Sequence, residues 1–302
     1  MRFLSFQTHG RTGIAVLDGD RLSGLLEGDP DFPGTLEQLI QGGRLDSPQD
    51  VAAILRRGPA IELAEVECLP PVASPGKIIC LGLNYRDHAD EGGFQAPTYP
   101  VLFSRFPSSM VGHDRPLVRP AVSVDLDFEG ELVAIIGKAG KHISPAAALD
   151  HVAGYSVSND GSIRDFQMKT PQWTVGKNFD GTGGFGPWFV PASELPPGAA
   201  GLHIETRLNG QVVQSANTRD MIFDVKTTIC LLSRVFALQP GDVILMGTPS
   251  GVGFVRTPQL FLKPGDICEV EIDGIGLLRN PVIDEIVGEP RPSPAPEEAV
   301  NG

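Results

Sequence analysis

The sequence predicts an α+β fold that is mainly β, with a rolled or barrel-like sheet. Most runs after residue 76 are short, apolar, partly β-branched and bounded by Gly, Pro or Asp, as strands are. Asn209-Gly210 lies between two such runs and is a strong hairpin signal. Only one long helical pattern interrupts them, from Asp220 to Ala237. Many short strands around one long helix are typical of a rolled or closed sheet.

The chain divides into three predicted parts. Residues 1–70 predict a small α+β domain, with a hairpin turned at Asp18-Gly19 and short helices over 35–40 and 51–55. A Pro-rich linker follows at 70–76, so residues 71–287 are expected to form the catalytic domain. Residues 288–302 are rich in Pro, Glu and Ala and predict a disordered tail.

Composition excludes several classes of partner. The 302 residues are 41% apolar and carry a formal charge of -13, which disfavours nucleic acid and anionic membranes. No run is long and apolar enough to span a bilayer, and a signal peptide is not expected at the N-terminus. We therefore expect a cytoplasmic protein. The four cysteines are expected to be buried free thiols, with disulfides as the less favoured alternative.

Acidic residues cluster in the segment 124–136. In a strand, Asp125, Asp127, Glu129 and Glu131 share one face with roughly 7 Å between neighbours. The continuous apolar run after Glu131 indicates a strand that is covered on both faces. Carboxylates there repel one another and lose hydration unless a cation joins them, and a hard divalent ion suits oxygen ligands. The alternative is a solvated strand edge whose acids keep it soluble.

Other polar residues offer further candidates. Asp160 follows an apolar strand and suits either a helix cap or a third metal ligand. His88 and Glu91 are neighbours on a helix, so the carboxylate could raise the basicity of the imidazole, although surface His/Glu pairs of this kind are common. The Gly-rich segment 247–253 lacks the Gly-Lys-Ser/Thr of a phosphate loop, but its N–H groups and Thr248 could bind a carboxylate.

Taken in order, five segments resemble the fumarylacetoacetate hydrolase superfamily over about residues 72–283. The resemblance implies a mixed β-roll core of the C-terminal type, a small N-terminal domain and a homodimer. The matching segments are 79–91, Asp127-Phe128-Glu129-Gly130-Glu131-Leu132, 154–167, Gly176-Lys177-Asn178-Phe179-Asp180 with Gly186-Pro187-Trp188, and Gly247-Thr248-Pro249-Ser250-Gly251-Val252-Gly253.

The same resemblance implies roles for individual residues. It implies a divalent metal, Mg²⁺ or Mn²⁺ with Ca²⁺ as a further option, and a lid dyad that activates water. Arg105 is placed where relatives commonly carry Lys, which leaves the choice of substrate open. By position, the metal ligands are Glu129, Glu131 and Asp160, the catalytic residues are His88, Glu91 and Lys177, and the substrate contacts are Arg105, Gln167 and Thr248.

The resemblance further implies an enzyme that hydrolyses a carbon–carbon bond in acylpyruvate-type β-diketo acids, such as fumarylpyruvate. His88 and Glu91 would deprotonate a water, and the metal with Lys177 would stabilise the pyruvate enolate that cleavage leaves. Oxaloacetate decarboxylation, and hydration or isomerisation of a related 2-keto acid in aromatic catabolism, are the alternatives. A catalytically silent, metal-stabilised protein that binds an organic acid is the alternative from another class.

Overall fold

A computed structural model describes residues 1–93, 95 and 97–288. The predicted disordered tail lies outside these residues, apart from Gly288. The elements of the N-terminal region are β1 (Arg2–Thr8), β2 (Arg11–Asp18), β3 (Arg21–Leu26), α1 (Leu36–Gln41), α2 (Pro48–Leu55) and β4 (Glu67–Cys68).

The remaining elements are mostly strands, as the sequence predicts. They are β5 (Ile78–Gly82), α3 (Arg86–Glu91), β6 (Val101–Ser104), β7 (Met110–Val111), β8 (Leu117–Arg119), β9 (Leu126–Asp127), β10 (Gly130–Ile136), β11 (Val152–Asn159), β12 (Ser162–Ile163), α4 (Arg164–Gln167), α5 (Thr174–Lys177), β13 (Gly183–Phe185), β14 (Trp188–Pro191), β15 (His203–Leu208), β16 (Gln211–Asn217), α6 (Val225–Val235), β17 (Val243–Leu245), β18 (Ile267–Ile272) and β19 (Gly276–Asp284).

The N-terminal elements follow local sequence signals. The hairpin β2–β3 turns through Gly19-Asp20, and Asp18 pairs with Arg21. Helix α1 begins after Thr35, which accepts a hydrogen bond from the Gln38 N–H in a capping box. The predicted helix over 35–40 is therefore shifted by one residue, because its first residue is the cap.

The main sheet connects the N-terminal strands to the rest of the chain. Its order is β3-β2-β1-β14-β11-β10-β17-β5-β6. Strand β1 pairs with β14 through Phe3 and Phe189, so one ladder spans both regions. The β17–β5 pair is parallel and the β10–β11 pair antiparallel, which makes the sheet mixed. The predicted boundary at residue 70 stays a prediction.

A second sheet, in the order β16-β15-β18-β19-β8, packs over β10 and β11. Its β15–β16 hairpin turns at Asn209-Gly210, where both residues have positive φ, as the sequence predicts. The principal core lies between the two sheets. The described strands form open sheets rather than a closed barrel, and the mainly β, mixed-sheet prediction is confirmed. The four cysteines are buried free thiols, as expected.

Two predicted elements differ from the structure. The long helix begins at Val225 rather than Asp220, because Asp224 caps it by accepting the Thr227 N–H. The segment 125–131 is two strands, β9 and β10, interrupted at Phe128 and Glu129. The Glu129 N–H donates to the Asn159 side chain instead of to a neighbouring strand. The carboxylates of this segment therefore do not share one regular face.

Candidate metal centre and active site

Three buried carboxylates meet where β10 begins and β11 ends. Glu129 precedes β10, Glu131 lies in it, and Asp160 follows β11. The antiparallel register opposes Gly130 to Asn159, which brings the two strand ends together. One oxygen of each carboxylate lies within 4.8 Å of the others. The structure thus brings together the three residues that the sequence analysis assigned to a metal.

Lys177, at the end of α5, neutralises two of the three carboxylates. Its Nζ lies 2.7 Å from Glu129 Oε2 and 2.6 Å from Asp160 Oδ2. The ammonium group is buried and also lies 4.9 Å from the centre of the Phe103 ring. Lys177 therefore belongs to the site, as predicted, and its donors are held by acids rather than by solvent.

Arg164 is a site residue that the sequence analysis did not assign. It begins α4, with Nη2 2.6 Å from Glu129 Oε1 and Nε 2.8 Å from Asp127 Oδ2. Asp127 also accepts the N–H groups of Gly253 and Phe254, so it anchors a loop beside the site. The sequence does not indicate this role, because a lone arginine at a turn belongs to no periodic pattern of residues and its partners are remote in sequence.

The three carboxylates differ in how much positive charge lies beside them. Burial alone would raise the pKa of Glu129, but Lys177 and Arg164 outweigh it and lower that pKa to about 2. Burial and the negative charges of Asp160 and Glu129 raise the pKa of Glu131 well above its usual range. The Gly247 N–H donates to Glu131 Oε2 at 2.8 Å but does not cancel this effect. A cation beside Glu131 is therefore electrostatically favoured.

These ligands fit a hard divalent ion. All three side chains offer oxygen, and Glu131, unlike Glu129 and Asp160, forms no ion pair among the described residues. Three protein carboxylates also leave coordination positions for a substrate. The donor set suits Mg²⁺ and Mn²⁺, and Ca²⁺ takes the same kind of ligand.

Arg105 lies behind Asp160. Its Nη1 bonds to Asp160 Oδ1 and to the Gly161 carbonyl. Its other nitrogens donate to Ser109 and to Thr182 at 3.1 and 3.0 Å. The guanidinium is buried and does not line the cavity described below. This geometry suits a group that holds Asp160 in place, and the substrate contact predicted for Arg105 stays untested.

The lid helix α3 carries the predicted dyad. His88 Nδ1 lies 2.8 Å from Glu91 Oε1, and Glu91 Oε2 accepts the Gly251 N–H at 2.8 Å. With Nδ1–H donating to Glu91, the lone pair of the imidazole is on Nε2. The bond to Gly251 fixes the lid helix against the 247–253 segment.

A cavity of about 140 Å³ joins the dyad to the carboxylates. Gln167 and Thr248, the predicted substrate contacts, line it, and both are partly engaged within the protein. Gln167 Oε1 accepts from Arg164 Nη1, and the Thr248 hydroxyl donates to the Gly130 carbonyl. The polar lining consists of His88, Glu129, Glu131, Arg164, Gln167, Lys177 and Thr248.

The family model of the fumarylacetoacetate (FAA) hydrolase C-terminal domain matches residues 77–283. The chain belongs to the fumarylacetoacetate hydrolase family. It is 38% identical over 289 residues to the mitochondrial oxaloacetate tautomerase fahd2 of Xenopus laevis, covering 94% of this chain and 90% of that one. It is 40% identical over 273 residues to the human mitochondrial oxaloacetate tautomerase FAHD2A, covering 90% and 87%.

The fold is also that of a solved family member. Fumarylacetoacetate hydrolase from Exiguobacterium antarcticum superposes with a TM-score of 0.81 and is 36% identical, covering 94% of this chain and all of that one. The predicted family and fold are therefore confirmed, and the family is one of enzymes. The narrower prediction of a carbon–carbon hydrolase is not confirmed by relatives named as tautomerases.

The expected cytoplasmic location is contradicted by these relatives, whose names place them in mitochondria. The expectation rested on net charge and on the lack of an apolar leader. Neither property distinguishes the cytoplasm from the mitochondrial interior, because both compartments hold water-soluble enzymes without an apolar leader. No helix in the described part of the chain is long and apolar enough to cross a membrane.

Proposed function

We propose that the protein interconverts the keto and enol forms of a 2-keto acid by moving a proton at C3. The observation that carries this proposal is that His88 and the acidic cluster line the same cavity. Enolisation changes two groups of the substrate, C3 and the keto oxygen. His88 can act as the base at C3, and the acidic cluster with its cation can stabilise charge on the oxygen. Oxaloacetate, named in the relatives, is the first 2-keto acid to assay.

The 2-keto acid end of the substrate is placed at the acidic cluster. Glu129, Glu131 and Asp160 would hold the divalent ion, which supplies Lewis-acid stabilisation of charge on the substrate oxygens. Arg164 lines the cavity, and its guanidinium, with Nη2 2.6 Å from Glu129 Oε1, places positive charge beside the position proposed for the substrate carboxylate. Lys177 adds a second positive group on the same side.

His88 is the proposed base. Its Nε2 takes a proton from C3, and Glu91 stabilises the imidazolium through Nδ1–H. Return of that proton to the enolate gives the keto form, so no other reactant is consumed. Lid closure, held by Glu91 and Gly251, keeps bulk water from the enolate.

Ultraviolet absorbance tests this proposal, because the enol of oxaloacetate absorbs more strongly than its keto form. Protein with Mg²⁺ is expected to accelerate the decay of the enol, and His88→Ala to lose about 10²–10⁴ of that rate. Calorimetric Mn²⁺ binding should be unchanged in the variant, because His88 is not a metal ligand here. If protein with bound metal accelerates the keto–enol interconversion of none of the 2-keto acids, the proposal is wrong.

Hydrolysis of an acylpyruvate is the second candidate, because a base that takes a proton from C3 can also take one from water. The name of the Exiguobacterium antarcticum protein supports carbon–carbon hydrolysis of a β-diketo acid in the wider sense. Release of pyruvate and an acid in equal amounts would identify hydrolysis, whereas enol decay without pyruvate release identifies isomerisation. The expected homodimer stays a prediction, which a mass of twice 32.2 kDa in solution would support.

A further inference from the structure

We infer that the cavity selects 2-keto acids whose C3 substituent ends in a compact, uncharged apolar group. This inference rests on the proposed function, because it assumes that the keto acid end lies at the acidic cluster. It goes beyond that function by naming the substituent, which for oxaloacetate is instead a carboxylate.

An aromatic wall leads away from the acidic cluster. The Phe103 ring centre is 4.9 Å from Lys177 Nζ and 5.6 Å from the ring centre of Trp173, at an interplanar angle of 64°. Trp173 packs on Gly82, where a Cβ atom would meet the indole at 2.2 Å. The absence of a side chain at Gly82 is therefore what admits the indole to this wall.

Leu83 adds an aliphatic side chain at some conformational cost. Its φ is +56°, in the left-handed region that costs an L-residue other than Gly roughly 1–2 kcal/mol. Gly or Asn would adopt this backbone more easily, yet the position holds a leucine that lines the cavity. Strain of this kind at a cavity wall indicates a function for the side chain.

The described lining offers no cation for a second substrate carboxylate. Its permanently cationic side chains are Arg164 and Lys177, and both are bound to acids of the cluster. Phe94 and Ala96, which are not among the described residues, carry no charge. A carboxylate beside the aromatic wall would lose hydration without gaining a partner.

The size of the cavity limits the substituent. Its volume, about 140 Å³, is close to the ~150 Å³ apolar cavity known to hold benzene, and it must hold the keto acid end as well as the substituent. The apolar group must therefore be short, about the size of a branched four-carbon chain.

Calorimetry with three unreactive 2-keto acid mimics tests the inference, with Mg²⁺ present. Oxamate represents the keto acid end alone, and N-isobutyloxamate and N-oxalylglycine add groups of the same shape, apolar in the first and charged in the second. We expect N-isobutyloxamate to bind at least about tenfold more tightly than oxamate. N-oxalylglycine is expected to bind no more tightly than oxamate. If it binds more tightly than N-isobutyloxamate, the inference is wrong.

Substitutions at Trp173 and Leu83 test whether these side chains cause the preference for the isobutyl group. Trp173→Ala should remove most of the isobutyl preference while oxamate affinity stays within about twofold, whereas Val175→Ala, at an exposed position two residues further along the chain, should change neither. Leu83→Gly provides a second variant that relieves backbone strain, so a lost preference there cannot be attributed to unfolding. A preference that persists in both variants would contradict the inference. Failure of all three mimics to bind would instead contradict the proposed function.

Discussion

Among single residues, Glu131 differs most from its neighbours in its charge environment. Glu129 has two cationic partners and Asp160 has Lys177 and Arg105, whereas Glu131 accepts one backbone N–H. The protein without metal thus keeps an uncompensated carboxylate in its core. Such a group lowers the free energy of unfolding until a cation binds.

Replacement of this carboxylate by an amide has opposite effects with and without metal. Glu131→Gln is expected to raise the free energy of unfolding of the metal-free protein by about 1 kcal/mol or more, because like charges no longer meet. Wild type should gain about 2.7 kcal/mol at Mg²⁺ a hundredfold above its Kd, and the variant much less. Thermal melts with EDTA and with Mg²⁺ measure both effects. Equal Mg²⁺ stabilisation of the two proteins would contradict the assignment of this ligand.

Arg105 allows a test of how Asp160 is positioned. Arg105→Met leaves the buried Asp160 with one partner fewer, and loss of a buried ion-pair partner costs about 3–5 kcal/mol. Arg115→Met is the control, because Arg115 and Glu67 form an exposed pair, a type worth about 0–1 kcal/mol. Denaturant unfolding and Mn²⁺ affinity are the measurements. Equal stability and Mn²⁺ affinity in the two variants would mean that Arg105 does not position the ligand.

The sequence predicts the acidic residues of the site better than the basic ones. Glu129 and Glu131 stand two apart beside an apolar run, a pattern that local periodicity reveals. Arg164 and Arg105 reach their partners across 37 and 55 residues. Their function depends on the register of β10 and β11, which the local sequence pattern does not specify.

Among the elements, the lid helix α3 couples its position to the chemistry of the dyad. One oxygen of Glu91 bonds to His88 and the other to the Gly251 N–H. The negative charge of Glu91 therefore acts on the His88 imidazole, while its hydrogen bond with the Gly251 N–H holds the lid helix in place.

Two substitutions of Glu91 separate these effects. Glu91→Gln keeps an acceptor for Gly251 but loses the charge, so kcat should fall about 10–100-fold while hydrogen exchange of residues 86–93 is unchanged. Glu91→Ala should lower kcat further and speed that exchange. Asp90→Asn, exposed on the same helix, is the control and should alter neither quantity. If hydrogen exchange in Glu91→Gln is as fast as in Glu91→Ala, the charge of Glu91 and its contact with Gly251 are not separate effects.

The interruption between β9 and β10 shows where strand periodicity fails. An alternating pattern predicts one face for Asp127 and Glu131, yet Asp127 binds Arg164 and two N–H groups of the 253–254 loop. Those contacts turn the chain at Phe128. Long-range hydrogen bonds of this kind override a local pattern, because they satisfy a buried charge.

On the scale of the whole molecule, the pairing of β1 with β14 joins the N-terminal region to the catalytic sheet. We expect a protein cleaved at a protease site inserted within residues 73–75 to remain one particle, because the ladder and the apolar contacts around Phe3 and Phe189 persist. Size-exclusion chromatography of the cleaved protein measures this. Separate elution of the two fragments would instead support an independent N-terminal domain.

The mainly β, mixed sheet follows from strand patterns and turn residues, whereas the order of the strands does not. Strand β17 lies between β10 and β5, far apart in sequence, and this order depends on long-range packing. The open edges at β3 and β6 likewise depend on the whole chain. Local sequence patterns thus predict the helices and strands, whereas the site forms only when the strands assemble into sheets.

Deuterium exchange at C3 tests the central claim most directly, because keto–enol interconversion breaks and re-forms a C3–H bond, whereas hydrolysis takes its proton from water. Pyruvate, the keto acid that oxamate mimics, is followed by proton NMR in D₂O with protein and Mg²⁺. The account predicts loss of the C3 proton signal well above the buffer rate, and loss of this acceleration in His88→Ala with Mn²⁺ affinity retained. Exchange at the buffer rate by wild-type protein that binds both Mg²⁺ and oxamate would contradict it.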